Sequence, residues 1–418
     1  MVVGTIIGAS IFVQPSEVTS QVHTVGGVLL VWFLAGLLTL IGSLVCAELA
    51  STFTRTGGVY VYLSEAFHPA LGFLWGWAML LTMHSGIIAA IATVFARYTA
   101  HFVPLGTAAS RVVAIVVILL LSAVNYVGVR HGSRLQTLFT SGKMLAVAAI
   151  VGMGFALGGR VPDHFVGSTA GGNTLGGYLL AMVAGLFAYG GWHMVTYSSE
   201  ETVEPAKTIP RALLIGTLIV TVSYMAMTAV YLYVMPLDRV ASSTRVAADM
   251  ADTLLGSGGA GAMSAIVMFS SFGGLAGIVL AGPRVYYAMA QDGLLFKWFA
   301  DLHPRYGTPH RAIVLQAIWS SVLVATGTFR ALFTRVVYTE WIFFALMAIG
   351  LMLLRKRTDV TRQYSIPLYP IAPLLFIVSS LAIVVNTLIS NPKDASIGLG
   401  LVLIGLPVYY VWLRRPAS

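Results

Sequence analysis

Charged residues are scarce in this sequence. Only 9% of its 418 residues are Asp, Glu, Lys or Arg, whereas 58% are hydrophobic. A soluble domain usually carries about 25% charged residues, because its surface faces water. The low charge therefore excludes a water-soluble globule of this size and indicates an integral membrane protein.

Cysteine is almost absent, and the residue patterns of enzymes are missing. The single thiol, Cys46, lies in an apolar segment, so no internal disulfide can form. The nine histidines show no metal-ligand spacing, and no nucleotide-binding loop or catalytic triad stands out. We therefore predict no catalytic residue, no metal and no cofactor, and a protein that is not an enzyme.

Long hydrophobic runs make up most of the chain. About 20 apolar residues suffice to cross a bilayer as a helix. The sequence contains about twelve such spans, near 1–20, 26–52, 69–103, 107–128, 133–157, 175–200, 208–235, 255–291, 311–329, 332–354, 368–390 and 395–413. No cleavable signal peptide is visible before the first span. Whether the natural protein begins upstream of residue 1 stays open. We predict an all-α integral membrane protein.

The net charge of +9 concerns topology rather than a nucleic-acid partner. Fifteen of the 24 Lys and Arg residues lie in connections on one side of the predicted spans and eight on the other. The cluster "LRKRTDVTR" (354–362) contributes most to this bias. Because cytoplasmic connections are enriched in Lys and Arg, we predict a multi-pass protein of the inner or plasma membrane with both termini in the cytoplasm.

Two spans carry glycines at corresponding positions. Span 1 contains "GTIIGASIF" (4–12) and span 6 contains "FAYGGWH" (187–193). Each is the first span of a five-span unit, and five is odd, so the second unit would enter the membrane from the opposite side. Glycine-interrupted segments at matching positions indicate a transporter site built on broken helices. The alternative is that these glycines only let two helices pack closely.

A broken helix exposes backbone groups that can bind a zwitterion. Free N–H groups attract an anion and free C=O groups attract a cation. The predicted residues are the amides of Gly8, Ala9 and Ser10 for a carboxylate, and the carbonyls of Ile6, Phe187 and Ala188 for an ammonium group. Gly190 and Gly191 leave room in the pocket, which favours small to medium neutral L-amino acids.

Several motifs together resemble the amino acid–polyamine–organocation (APC) transporters, especially their L-type branch. They are "GTIIGASIFVQP" (4–15), "AELASTFTRTGGVYVYLSEAFHPALGFLWGW" (47–77), "FAYGGW" (187–192), "SSEETVEPAKTIPRAL" (198–213), "GPRVYYAMAQDGLLF" (282–296) and "RQYSIPLYP" (362–370). The resemblance implies two inverted five-helix repeats, residues 1–157 and 175–354, with broken helices 1 and 6. Two extra helices within 368–413 follow, and one transport domain works by alternating access.

The resemblance also implies roles for particular positions. The family's first break often reads G-S-G, whereas here it reads Gly8-Ala9-Ser10. The side-chain hydroxyl therefore lies one position later in this sequence, at Ser10. The aromatic residue that gates the family's pocket corresponds to Phe187, whose alternative role is ordinary packing. Animal L-type relatives attach a heavy subunit through a cysteine between spans 3 and 4. Residues 103–111 contain no cysteine, so we expect no disulfide-linked heavy subunit.

Lys143 is a cation within predicted span 5. Such a residue costs about 2.5–3.5 kcal/mol on insertion scales and is therefore functional by default. The resemblance places it where sodium-coupled relatives by fold hold a sodium ion. We expect its ammonium group to replace that ion and to donate to carbonyls of span 1 and to Ser270 or Ser271. Its alternative is snorkelling to the interface, and a desolvated Lys143 would also permit proton coupling.

The acidic residues are expected outside the binding site. Glu48 and Glu340 are predicted near the ends of spans 2 and 10, at membrane interfaces with Arg or amide partners rather than in a proton relay. The cluster "EETVE" (200–204) is predicted as a salt-bridged connection or gate beside Lys207 and Arg211.

The predicted function is secondary transport of amino acids, with neutral L-amino acids favoured. Transport would be independent of sodium and would proceed by exchange or proton symport, with the amino acid, the lipid bilayer and, for symport, protons as the partners. Two alternatives stay open: a transporter of cationic amino acids or polyamines, and a membrane sensor that binds amino acids without moving them.

Overall fold

A computed structural model describes residues 2–128, 132–158, 173–357 and 362–413, which contain helices and no strand. The α-helices are α1 (Val2–Ile6), α2 (Gln14–Thr19), α3 (Val25–Thr52), α4 (Val59–Ala66), α5 (Pro69–Leu81), α6 (His84–Thr99), α7 (Thr107–Val127), α8 (Gly132–Leu157), α9 (Leu175–Ala188), α10 (Pro205–Val234), α11 (Leu237–Ser242), α12 (Val246–Leu255), α13 (Ser257–Gln291), α14 (His310–Thr326), α15 (Phe329–Leu354), α16 (Ile371–Ser390), α17 (Pro392–Leu403) and α18 (Gly405–Val408). Three 3₁₀ helices lie at Ser10–Phe12, Trp192–Glu201 and Lys297–Ala300, and a π-helical turn covers Tyr409–Leu413.

The predicted all-α membrane architecture is confirmed. Ten helical stretches of the described chain are long and apolar enough to cross a membrane. Two further predicted spans complete the set: the first is broken into α1, a 3₁₀ turn and α2, and the ninth is the 17-residue helix α14. The third span, predicted as one long helix, is divided into α5 and α6 at Thr82 and Met83.

Polar side chains at the helix starts explain several boundaries. Thr24, Thr174 and Thr328 each precede a spanning helix and accept a hydrogen bond from a backbone amide of its first turn. Such caps satisfy donors that have no partner within the helix. Pro69 and Pro205 occupy first turns, where proline's missing N–H has no cost.

Burial separates central spans from peripheral ones. The most apolar windows of Pro69–Thr99 and Leu175–Tyr197 are each 83% buried, whereas those of Thr107–Val127 and Leu138–Leu157 are 28% and 22% buried. Exposed large apolar side chains cover α7. Since lipid tails are apolar, such a surface indicates contact with the bilayer. The third and sixth spans therefore form the interior, and α7 and α8 lie at the rim.

The two interrupted segments meet in this interior. α1 contacts α8, α10, α13 and the 3₁₀ helix Trp192–Glu201. Around them, α3 packs along α10 and α6 packs along α13. Helices from both halves of the chain thus enclose the first and sixth spans. The proposed repeat boundaries at 1–157 and 175–354 stay a prediction.

Candidate functional site

The first break leaves backbone amides without partners. α1 ends at Ile6 and the 3₁₀ turn begins at Ser10, so residues 7–9 are not helical. Within the described chain, the amides of Ala9 and Ser10 donate no hydrogen bond, although both residues are buried. Buried N–H groups without acceptors are uncommon. Two adjacent ones next to a helix break create an anion-binding position.

The second break brings span 6 against span 1 through a glycine. α9 ends at Ala188, and Gly191 has φ of +96°. A Cβ atom at Gly191 would lie 2.9 Å from the carbonyl oxygen of Thr5. Glycine is therefore required twice, by its left-handed backbone conformation and by the close approach. Gly190 donates its amide to the carbonyl of Phe187 at 3.1 Å.

Tyr224 of α10 connects the two breaks. Its Oη lies 3.0 Å from the carbonyl oxygen of Ile6 and 3.1 Å from that of Ala188, and the side chain is fully buried. A phenol has one proton, so it donates to one carbonyl at a time. Sequence reasoning missed Tyr224. The available signal was its hydroxyl, which needs a partner inside an apolar span.

The breaks share one closed cavity with α6, α13 and α15. Its lining consists of Thr5, Ile6, Gly8, Ser10, Ile87, Ile91, Phe187, Gly190, Gly191, Met194, Ile278, Val336 and Glu340. Its volume of about 20 Å³ is room for about one water molecule. Six of the eight predicted binding residues belong to this lining, while Ala9 and Ala188 lie beside it.

Lys143 lies buried against the first break. Its side chain is 2% exposed, and Nζ donates to the carbonyl of Ile7 at 3.1 Å and lies 3.5 Å from that of Gly4. This position excludes snorkelling to the interface. A fixed ammonium group thus neutralises carbonyls that the broken helix leaves without amide partners.

The serines expected beside Lys143 have other surroundings. The hydroxyl of Ser271 donates to the carbonyl of Val267 at 2.7 Å, and Oγ of Ser270 is buried without a partner. The nearest part of α13 is Gly274, where a Cβ atom would lie 3.3 Å from Nζ. The structure therefore joins Lys143 to span 1 through hydrogen bonds and to span 8 through packing.

Glu340 was predicted near a helix end, and this prediction is wrong. The residue lies in the middle of α15, is 5% exposed and lines the central cavity. The error arose because span 10 was predicted to begin at 332, whereas α15 begins at Phe329, capped by Thr328. His193, which follows the second break directly, packs against Trp75 and Phe344 and is not part of the lining.

Ionic and aromatic contacts close the cavity toward the start of α15. Glu17 of α2 pairs with Arg330, and the guanidinium of Arg97 lies 4.5 Å above the ring of Phe329. Phe187 packs against Phe333 with ring centroids 5.6 Å apart. Phe187 thus stands between the cavity and these contacts. We call this end of the molecule the Arg330 face.

Polar contacts also close the opposite end, which we call the Arg355 face. Arg284 of α13 pairs with Glu201 at 3.3 Å, and the hydroxyl of Tyr60 donates to Asp292 at 2.8 Å. The amide of Thr56 donates to Glu200 at 3.2 Å. The predicted salt-bridged connection after span 6 is therefore confirmed.

Glu48 has the arginine partner predicted for it. Its carboxylate accepts hydrogen bonds from Arg355 at 2.7 and 2.5 Å and from the amide of Ile366 at 2.7 Å. The hydrogen bond with Glu48 raises the pKa of Arg355 above its usual range, against the opposing effect of burial. This two-pronged pair ties the end of α15 to α3 and to the segment before α16.

Similarity to known proteins agrees with this geometry. The model of the family described as amino acid permease matches residues 1–411. The serine/threonine exchanger SteT of Bacillus subtilis is 33% identical over 422 residues, which cover 100% of this chain and 96% of the relative.

Animal relatives are similar over the same range. The human large neutral amino acids transporter small subunit 2 is 32% identical and is aligned over 100% of this chain and 80% of its own length. The mouse b(0,+)-type amino acid transporter 1 is 32% identical, with 99% and 88% covered. By name, the first relative is an amino acid exchanger and the other two are amino acid transporters. With this match over almost its whole length, the chain belongs to the amino acid permease family and has the predicted function class, amino acid transport.

Proposed function

We propose that this protein moves neutral L-amino acids across a membrane by alternating access, without sodium, as an exchanger or a proton symporter. The observation that carries the proposal is the meeting of two broken spans at one closed cavity. One wall of that cavity has unpaired amides, and the other has carbonyls. This pairing of opposite partial charges fits the head group of a zwitterion.

The head group would bind to the backbone. Its carboxylate would accept from the amides of Ala9 and Ser10, for which the described part of the chain supplies no acceptor. Its ammonium group would donate to the carbonyls of Ile6, Phe187 and Ala188. The carbonyl of Phe187 accepts from the amide of Gly190. The carbonyls of Ile6 and Ala188 share the single proton of Tyr224, so each of the three carbonyls keeps a free lone pair for the substrate.

The substrate side chain would face an apolar wall. Ile87, Ile91, Met194, Ile278 and Val336 contribute it, which favours a side chain without charge. The relatives named for serine, threonine and large neutral amino acids support the same class. Since the closed cavity has room for about one water molecule, the site must expand before it admits an amino acid.

Lys143 supports sodium independence. Its ammonium group is held by the carbonyls of Gly4 and Ile7 and supplies there the positive charge that a bound sodium ion would supply. We expect uptake to stay unchanged when choline replaces sodium in the buffer. A strict sodium requirement would contradict this part of the proposal.

Membrane orientation and subunit composition complete the proposal. The Arg355 face carries Arg355, Lys356, Arg357 and Arg362 and would be cytoplasmic, with both termini on that side of the inner or plasma membrane. The only cysteine, Cys46, is buried, which supports function without a disulfide-linked heavy subunit.

Purified protein in proteoliposomes provides the test. Uptake of labelled alanine and leucine is measured with and without unlabelled amino acid inside, and each case is repeated with an inward proton gradient and without sodium. Uptake that needs internal substrate indicates exchange, and uptake into empty vesicles that follows the gradient indicates symport. Binding of either tracer without transport under any condition would contradict the proposal and favour a sensor.

A further inference from the structure

Glu340 places an acidic group in the wall of the central cavity. It shares the lining with Gly8 and Ser10 of the first break and with Gly190 and Gly191 of the second. Its side chain is 5% exposed and takes part in no ion pair or hydrogen bond of the described chain. The substrate-binding scheme above does not use it.

An ionised carboxylate at this place would be costly. The cavity wall next to it is formed by aliphatic side chains such as Ile87, Ile278 and Val336. Removing a carboxylate from water without a compensating partner costs several kcal/mol. A buried carboxylate without such a partner therefore takes up a proton and becomes neutral. In the closed cavity, a proton on the carboxyl group of Glu340 would remove this cost.

The titratable side chains around this part of the molecule offer no compensating charge. They come from α3, α4, α6, α13 and the 3₁₀ helix after the second break: Cys46, Tyr62, His84, Tyr286, His193 and Tyr197. Of these, Tyr197 interacts electrostatically with Glu340. The packed helix α16 has no titratable residue, and α9 has only Tyr178, near its start.

The charged residues on the helices packed against α15, and Arg335 on α15 itself, are engaged elsewhere. They have these partners: Glu48 with Arg355, Glu65 with Arg55, Arg97 with the ring of Phe329, and Asp394 with Arg335. Lys393, at the start of α17, is exposed. Lys143 is bound to carbonyls of span 1. Among the residues that the structure describes, Glu340 thus has no counter-charge, and it lies next to the position proposed for the substrate.

We propose that Glu340 carries the proton that couples transport in this protein, by taking it from one side of the membrane together with the amino acid and releasing it on the other. The inference rests on the proposed transport function. When the cavity opens to water, the hydrated carboxylate can lose its proton. When the cavity closes, the protonated form is favoured, so occlusion and proton binding are linked. One proton binds and one proton leaves in each cycle.

Proteoliposomes without internal amino acid test the proposal. Accumulation of labelled L-serine is measured in sodium-free buffer with an inward proton gradient. With one proton for each neutral substrate, one pH unit supports up to an about tenfold accumulation. We expect accumulation by the natural protein and its loss in Glu340→Gln, which keeps the shape of the side chain but cannot release a proton. Exchange of external label for internal serine is measured in parallel at equal pH on both sides, and the loss of accumulation in Glu340→Gln is scored relative to the exchange rate of the same variant.

Two control variants separate proton coupling from general damage. Glu340→Asp keeps the carboxyl group and should keep gradient-driven accumulation with an altered pH profile. Val336→Ala changes the same cavity wall without a titratable group, so it should alter the uptake rate and still respond to the gradient.

If Glu340→Gln fails to fold, a pH dye inside the vesicles compares serine-driven proton entry in the natural protein and Glu340→Asp. Identical pH profiles of these two would overturn the proposal.

Other results distinguish the two levels of inference. Accumulation by Glu340→Gln equal to that of the natural protein would overturn the role of Glu340. Exchange by the natural protein without any response to the gradient would also overturn it and leave the proposed transport function intact. Neither exchange nor uptake by the natural protein would contradict both.

Discussion

At the scale of single residues, the site depends on backbone groups and on the side chains that hold them in place. Gly191 brings the second break to the carbonyl of Thr5, and Tyr224 joins carbonyls of both breaks. The ammonium group of Lys143 binds the carbonyls of Gly4 and Ile7 beside the first break. These contacts leave the amides of Ala9 and Ser10 free, so the binding position consists of groups that every residue type carries.

Gly191→Ala should abolish transport. The left-handed conformation costs a non-glycine residue about 1–3 kcal/mol, and the added Cβ would press on the carbonyl oxygen of Thr5 at 2.9 Å. Tracer exchange in proteoliposomes measures the effect. Gly26→Ala is the matched control, because a Cβ there meets nothing within 4 Å. Normal exchange by Gly191→Ala would show that the two breaks need not touch.

Tyr224→Phe should weaken substrate binding and lower the thermal stability. Loss of a buried hydrogen bond costs about 0.5–1.5 kcal/mol, and the carbonyls of Ile6 and Ala188 would lose the hydroxyl that positions them. KM for uptake and the unfolding temperature in detergent are the readouts. Tyr231→Phe, on the same helix, removes a buried hydroxyl without a partner and should change neither. Equal effects of both variants would contradict the positioning role of Tyr224.

At the scale of elements, one buried ion pair links three segments. Glu48 of α3 is 1% exposed and binds Arg355 after α15 and the amide of Ile366 before α16. Apolar contacts between helices in a membrane give little orientational preference, because lipid packs against Leu and Ile equally well. A directional, charge-assisted contact at the helix ends therefore fixes how these helices sit together.

Glu48→Gln should destabilise the fold by about 3 kcal/mol, because it leaves the partly buried Arg355 without its counter-charge. The unfolding temperature in detergent gives the measurement. Glu65→Gln breaks the exposed pair with Arg55, whose side chains are 37% and 54% accessible, and should cost at most about 1 kcal/mol. A similar loss in both variants would show that the buried pair has no special role.

At the scale of the whole molecule, the cavity is closed on both faces. Glu17 and Arg330 close one end, and Glu201 and Arg284 close the other. Alternating access requires these sets of contacts to break in turn. Each consists of few ionic contacts, partly exposed to solvent, which are individually weak. The closed form can therefore open at either face at low cost.

Breaking the Glu17–Arg330 pair should make the cavity more accessible from the Arg330 face. In a Cys46→Ala background, Ile91→Cys places a thiol in the cavity wall. We expect slow labelling by a membrane-impermeant maleimide and several-fold faster labelling after Glu17→Gln is added. Val103→Cys, at an exposed position in the connection that follows Arg97 on the same face, should react rapidly in both backgrounds. An unchanged rate at Ile91→Cys would show that this ion pair does not hold the face closed.

Local rules account for most of what could be predicted. The spans follow from hydropathy, the breaks from Gly8, Gly190 and Gly191, and the exclusion of soluble classes from the scarcity of charge. These properties arise from the residues themselves, because lipid tolerates no unpaired backbone and few charges. The buried position of Lys143 could be anticipated on the same ground, since a lone cation within a span needs protein partners.

Tertiary structure alone decided which distant groups meet. The contact of Tyr224 with both breaks and the place of Glu340 in the cavity wall depend on how helices far apart in sequence rotate and pack. Hydropathy defines a span but hardly its rotation, because the central helices are apolar on every side. For this reason the sequence determined the class of transporter, whereas the fold decided which polar groups face the substrate.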